Sequence, residues 1–221
     1  SGPAEYSARG WPADAAAARA APIWASASSA PADHLYLITK QVAPLALRMD
    51  ARGQLLVPLQ DIDGHLHSLE TIAPDGAKRF LAGGAKRGHF AVIGADPAPL
   101  PEPTGPILIC EGWGTGASLH MATGHTVIAA IDAGNLLPVA EALRARLPAD
   151  DLVIVADNDL KPDRDTNPGV FAARKAAPAV HARIAVPVAP RDANDLFFPA
   201  CPEAGASLLA VSAHTPPPPP T

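Results

Sequence analysis

Apolar residues in the second half of the chain gather in short runs that read as strands at 107–110, 126–131, 152–156 and 184–187. Between them, segments near 115–123, 137–147 and 169–177 read as helices. Strands alternating with helices predict an α/β fold whose parallel sheet is covered on both faces. The first half has a different rhythm. Gln54–Leu59 reads as a strand, Asp61–Gly64 as a turn and His65–Ile72 as its hairpin partner. Asp75-Gly76 marks a second turn, and Phe90–Ile93 a further short strand. Ala13–Ala27 has helical character around Ile23 and Trp24, with Pro22 expected to interrupt it.

These patterns divide the chain into an N-terminal linker or helical segment (1–32), a small basic β-rich (α+β) subdomain (33–94), a proline-rich linker (95–106), an α/β domain (107–199) and a Pro-rich tail (200–221). The opening Ser1-Gly2-Pro3 and the closing run Pro216–Pro220 suggest an excised piece of something longer.

Composition narrows the class. At 221 residues there is room for one large or two small domains with ample core. The net charge of −5 excludes a polycation that coats nucleic acid, leaving only a local basic face for that work. The 2 cysteines, Cys110 and Cys201, exclude a disulfide framework and a four-cysteine zinc site, and they fit a reducing, cytoplasmic setting. Cys110 reads as a small core residue. No stretch is long and apolar enough to span a bilayer, so no membrane association is expected.

Chemistry concentrates at the strand ends. The first α/β strand ends on Glu111, the third on Asp157 and Asp159, and the fourth leads to Asp192 and Asp195. In a parallel sheet these ends share one edge, where ligands bind. Acids converging there repel one another unless a divalent cation sits among them. Asp157 and Asp159 are two apart, so a persisting strand points both to one side. Capping and turn roles are the bland alternatives for these aspartates. For Glu111 the alternative is an acid favoured by the following helix N-terminus. The loop Gly112-Trp-Gly-Thr-Gly-Ala117 also fits a dinucleotide fingerprint, with Asp132 at the matching offset. That reading leaves Glu111 beside a pyrophosphate and the Asp157–Asp159 pair without a role.

E-G after the first strand, D-N-D after the third and D-A-N-D-L after the fourth together resemble a Toprim domain. This fold is shared by bacterial-type primases, type IA and II topoisomerases, OLD-family nucleases and RecR-like proteins. Upstream, L-L-V-P-L-Q-D-I-D-G-H-L and D-G-A-K-R-F-L-A-G-G-A-K-R-G-H-F extend the resemblance to primases of conjugative plasmids and phages, over roughly residues 20–200. The resemblance implies synthesis of RNA primers from ribonucleoside triphosphates on single-stranded DNA. It assigns Glu111, Asp157 and Asp159 to catalysis and to Mg²⁺ or Mn²⁺, with Asp192 or Asp195 completing the cluster. It also implies partners in a longer protein, among them a zinc-binding module and a helicase. A Toprim nuclease and a non-catalytic Toprim binding module remain the alternatives.

Lys78, Arg79, Lys86 and Arg87 form a basic loop with no acid near them in sequence, and with Lys40 they are candidates for phosphate contact. Gly112 and Gly114 would let backbone approach a nucleotide. Trp113 is expected either to stack a base or to pack in the core, whereas Trp11 and Trp24 are read as packing residues. His65 and His67 alternate on a strand without a visible third ligand, and His120 and His125 do not face each other.

Overall fold

The computed structural model describes residues 13–157 and 167–186. Helix α1 (Ala13–Ser26) leads into an antiparallel sheet of β1 (Ser28–Ser29), β2 (Arg48–Met49), β3 (Leu55–Gln60), β4 (Leu66–Ile72) and β5 (Lys78–Phe80), in that spatial order. A short helix, α2 (Leu35–Lys40), lies between β1 and β2. The α1 helix runs through Pro22 instead of stopping there. Ala16, Ala20 and Trp24 recur every four residues and are buried. Ala20 and Trp24 pack on Leu56 and Leu69, and this apolar stripe offsets the lost backbone bond.

The β3–β4 turn forms where expected. The Asp61 carboxylate accepts from the amides of Asp63 (3.0 Å) and His65 (2.9 Å), a side-chain mimic of a backbone turn. Gly64 has φ +89°, and a Cβ there would lie 2.2 Å from the Ala98 carbonyl carbon. No other residue fits that spot.

The second sheet has the order β10-β9-β7-β8-β6: β7 (Ile107–Cys110), β8 (Thr126–Ala129), β9 (Leu152–Val155) and β10 (Arg183–Ala185) are parallel. Helices α3 (Trp113–Thr123), α4 (Leu136–Arg146) and α5 (Pro168–Ala179) connect them, with a 3₁₀ turn at Ala133–Asn135. Strand β6 (Ala91–Val92) is the antiparallel edge, paired with β8. The strand expected at 90–93 therefore belongs to this sheet, not to the hairpin sheet before it. Phe90, just before β6, also reaches back through a two-bond bridge to Gln60 (2.9 and 3.0 Å).

Strand alternation sorts the core into two faces. Leu108, Cys110, Val127, Ala129, Val153 and Val155 share one cluster with Trp113, Ala117 and Leu119 of α3 and with Leu55, Val57, Leu59 and Ile72 of the first sheet. Ile107, Ile109, Ile128, Leu152 and Ile154 face α4 and α5 instead. The parallel sheet is thus covered on both sides, one of them partly by the hairpin sheet. Trp113 is 1% exposed, which settles it as a core residue and removes it as a base-stacking candidate. Cys110 is likewise buried. Among the described residues, no helix is long and apolar enough to cross a membrane.

Candidate active site

The central strand β7 lies between β9 and β8, so the residues that follow these three strands are neighbours along one sheet edge. They are Glu111, Asp157 and Asp132. Thr115, in the first turn of α3, donates to Asp157 Oδ1 at 3.3 Å. A Cβ added to Gly169, at the start of α5, would lie 3.0 Å from the Asp157 carbonyl oxygen and 3.5 Å from Glu111 Oε2. The two expected acids therefore converge beside the N-termini of two helices, α3 and α5. Gly112 caps the first and Asn167 the second, its side chain accepting from the Val170 amide at 3.2 Å. Helix N-termini present free N–H groups and positive potential, which favours anions. Asp159, Asp192 and Asp195 lie outside the described residues.

A cleft of ≈ 140 Å³ opens at this edge, lined by Glu111, Gly112, Gly114, Thr115, Ile131 and Asp157 from the α/β half and by Tyr36, Lys40 and Lys78 from the first half. Tyr36 and Lys40 sit four apart on α2 and so share a face. Tyr36, Thr115 and Ile131 were not among the sequence candidates, although the spacing of Tyr36 from Lys40 was a usable signal. Ile131 has φ +77°, a left-handed conformation that strains a β-branched residue by about 1–3 kcal/mol. The strain falls in the cleft wall, immediately before Asp132.

The glycines that resemble a dinucleotide loop are occupied by the protein itself. Cβ atoms at Gly114 and Gly116 would lie 2.7 Å from the Tyr36 hydroxyl and 2.9 Å from Ile93. Asp132 forms an ion pair with Lys86 and accepts from the Asn135 amide at 2.9 Å. The acid that would read a ribose in that fold is already engaged.

The basic residues separate. Lys78 and Lys40 face the cleft. Arg79 borders a groove on the opposite side of the first sheet with Arg52, Leu56 and Leu69. Lys86 is not isolated from acid, since it pairs with Asp132 and lies over the Phe80 ring. Arg87 is exposed in the adjoining turn.

A second acid–imidazole group lies at the β3–β4 turn, where ligand atoms of Asp61, Asp63 and His65 fall within 4.8 Å of one another. Asp61 Oδ2 meets His67 Nε2 at 2.8 Å and His65 Nδ1 at 3.2 Å. Burial works to raise the Asp61 pKa, but the hydrogen bonds from His67, His65 and Asp63 prevail and hold it at about 2. This carboxylate is committed to the turn and is separate from the strand-end acids.

Residues 106–202 match the Toprim domain family. The α/β half is a Toprim domain. Two curated DNA primases, both TraC of Escherichia coli, are 38% identical over 142 residues and 35% identical over 157. These matches cover 63% and 69% of this chain, but the chain spans only 13% and 11% of the relatives' own length. Both matches are longer than the 106–202 segment matched by the Toprim family. Among solved structures, the primase fragment of the bacteriophage T7 primase-helicase protein is similar at a TM-score of 0.60, with 14% identity, covering 80% of this chain and 73% of that one. The RNA polymerase domain of the Mycobacterium tuberculosis primase DnaG, in complex with double-stranded DNA, follows at 0.53, with 16% identity over 92% of this chain and 81% of that one. At these identities the structural likeness is one of fold: the Toprim domain and the hairpin sheet are arranged as in primases.

Proposed function

We propose that this chain is the catalytic core of a DNA primase, joining ribonucleotides into short RNA primers on a single-stranded DNA template. The observation that carries the reading is the convergence of Glu111 and Asp157 in a cleft whose opposite wall supplies Lys40 and Lys78. Carboxylates facing ammonium groups suit a substrate that is itself a polyanion accompanied by a cation.

The donor set fits a hard divalent ion. Glu111 and Asp157 offer carboxylate oxygens, the ligands that Mg²⁺ and Mn²⁺ prefer. Asp159, with Asp192 or Asp195, would complete the set. When bound, such an ion supplies Lewis-acid polarisation and charge neutralisation at the reacting phosphate. The protein's own residues do the positioning. Thr115 donates to Asp157 Oδ1 and so orients that carboxylate at the sheet edge. The N–H groups at the start of α3 and the ammonium groups of Lys40 and Lys78 favour the triphosphate, and they favour it most as charge builds on the leaving pyrophosphate.

The test offers single-stranded DNA, ribonucleoside triphosphates and Mg²⁺ or Mn²⁺ to the protein. Short RNA products are expected, falling by about a hundredfold or more in Asp157→Ala. Degradation of the DNA without synthesis would instead identify a nuclease, and strand binding without either reaction a non-catalytic module.

A further inference from the structure

Strand β5 is the edge of the first sheet, and its side chains alternate between faces. Lys78 faces the cleft and Arg79 the far groove, so Phe80 returns to the Lys78 side. Phe80 is 41% exposed, whereas Phe90 and Trp113 are fully buried. Because β5 is an edge strand, Phe80 also borders the far groove. Its ring nevertheless turns toward the Toprim domain, because Lys86 Nζ lies 4.9 Å from the ring centroid while pairing with Asp132 at the end of β8. The ring therefore sits beside the cation that ties the turn after β5 to the end of β8.

A single exposed aromatic is ordinary on a protein surface. Phe80 differs in its surroundings. Its partner across the ladder is Glu70, which is 2% exposed and has Oε2 without a hydrogen-bond partner. Burying a carboxyl there is costly unless nearby cations compensate, and Lys78 and Lys86 supply that charge. Lys78, two residues before the solvent-open ring, and Lys86, over it, thus both lie within electrostatic reach of this buried acid. An aromatic face beside cations is the usual build of a single-strand or nucleotide platform, with a base on the ring and phosphates on the charges.

We propose that Phe80 is a stacking platform for a nucleobase, extending the phosphate-handling cleft at Lys78 into a nucleotide site. The proposal rests on the nucleotide-polymerising reading of that cleft. The base belongs either to the incoming ribonucleotide or to the template strand, and the experiment separates these sources.

Binding is measured for the protein and for Phe80→Ala and Phe80→Trp, each checked for native circular dichroism. Four probes are used with Mg²⁺: GTP, inorganic triphosphate, a single-stranded deoxyoligonucleotide and its abasic counterpart. The wild type should prefer the base-bearing member of at least one pair. Phe80→Ala should abolish that preference with an affinity loss of about five- to a hundredfold, leaving the base-free probe unchanged, while Phe80→Trp retains it. Loss confined to GTP assigns the incoming base, and loss confined to the oligonucleotide assigns the template base. The proposal is overturned if Phe80→Ala binds every probe as the wild type does, or weakens base-free and base-bearing probes equally. Binding with base preference but no RNA synthesis removes the polymerase reading and leaves the platform standing. If the wild type binds none of the probes, both fall.

Discussion

Glu70 combines burial, a free oxygen and two nearby lysines on a strand that otherwise packs apolar residues. Burial raises its pKa above the ordinary 4.5, against the opposing pull of Lys78 and Lys86. A raised acid contributes stability that is fully present below the unfolded value and is lost as pH rises through the folded one. Glu70→Gln should therefore match the wild type at and below pH 4.5 and become the more stable protein as pH rises above it. Thermal melts across that range check it, and a difference independent of pH would refute the buried-charge account. Residue chemistry of this kind is only half legible in a sequence. Lys78 and Arg79 look equivalent side by side, and only their placement on a strand sends one to the cleft and the other to the far groove. The acid that Lys86 pairs with, Asp132, is 46 residues away along the chain, beyond the reach of any local pattern.

At the scale of elements, α3 can press against the sheet because Gly116 has no side chain. A Cβ there would meet Ile93 at 2.9 Å and Cys110 Sγ at 3.1 Å, both core residues with little room to yield. Gly116→Ala should cost about 1–3 kcal/mol in urea unfolding. Gly112→Ala should cost distinctly less, since the nearest atom to its added Cβ is Lys78 Nζ at 3.6 Å. Equal losses would mean that helix–sheet contact is not what the glycine serves. Apolar runs located β7, β8 and β9 to within a residue or two, because a strand buried on both faces has few alternatives. Pro22 and β6 were harder to read. The α1 helix survives its proline through contacts with a sheet far along the chain, and β6 is too short for its own pattern to reveal which sheet it joins.

Across the whole molecule, a net charge of −5 coexists with a cleft that turns two lysines toward the strand-end acids. Affinity for single-stranded DNA should fall with salt, because each neutralised phosphate releases counterions. Lys78→Ala should lower the slope of log affinity against log salt by about 0.7, the value for one phosphate contact on a single strand. Arg79→Ala, facing the far groove, should leave the slope unchanged. Fluorescence anisotropy at several salt concentrations distinguishes the two, and matching slopes for both variants would contradict the sidedness of β5. The sheet edge with its acids was readable from strand order and spacing. That the hairpin sheet folds across the α3 side, bringing Tyr36, Lys40 and Lys78 opposite those acids, depends on contacts between residues far apart in sequence, which no local pattern encodes.

The two-bond bridge between Gln60 and Phe90 bears on how this cleft is held. The chain passes from the first sheet to the second at 81–90, and both this passage and the 95–106 link between β6 and β7 are tied to the first sheet. Phe90 is laddered to Gln60, and the Gln60 amide clasps Ala98 through both its nitrogen (2.8 Å) and its oxygen (3.2 Å). Both segments are thereby fastened at Gln60, the last residue of β3, which joins the hairpin sheet to the Toprim half. The spacing between the cleft walls is therefore set partly by one glutamine amide outside the cleft lining, a connection through which substitutions at Gln60 would reach the site.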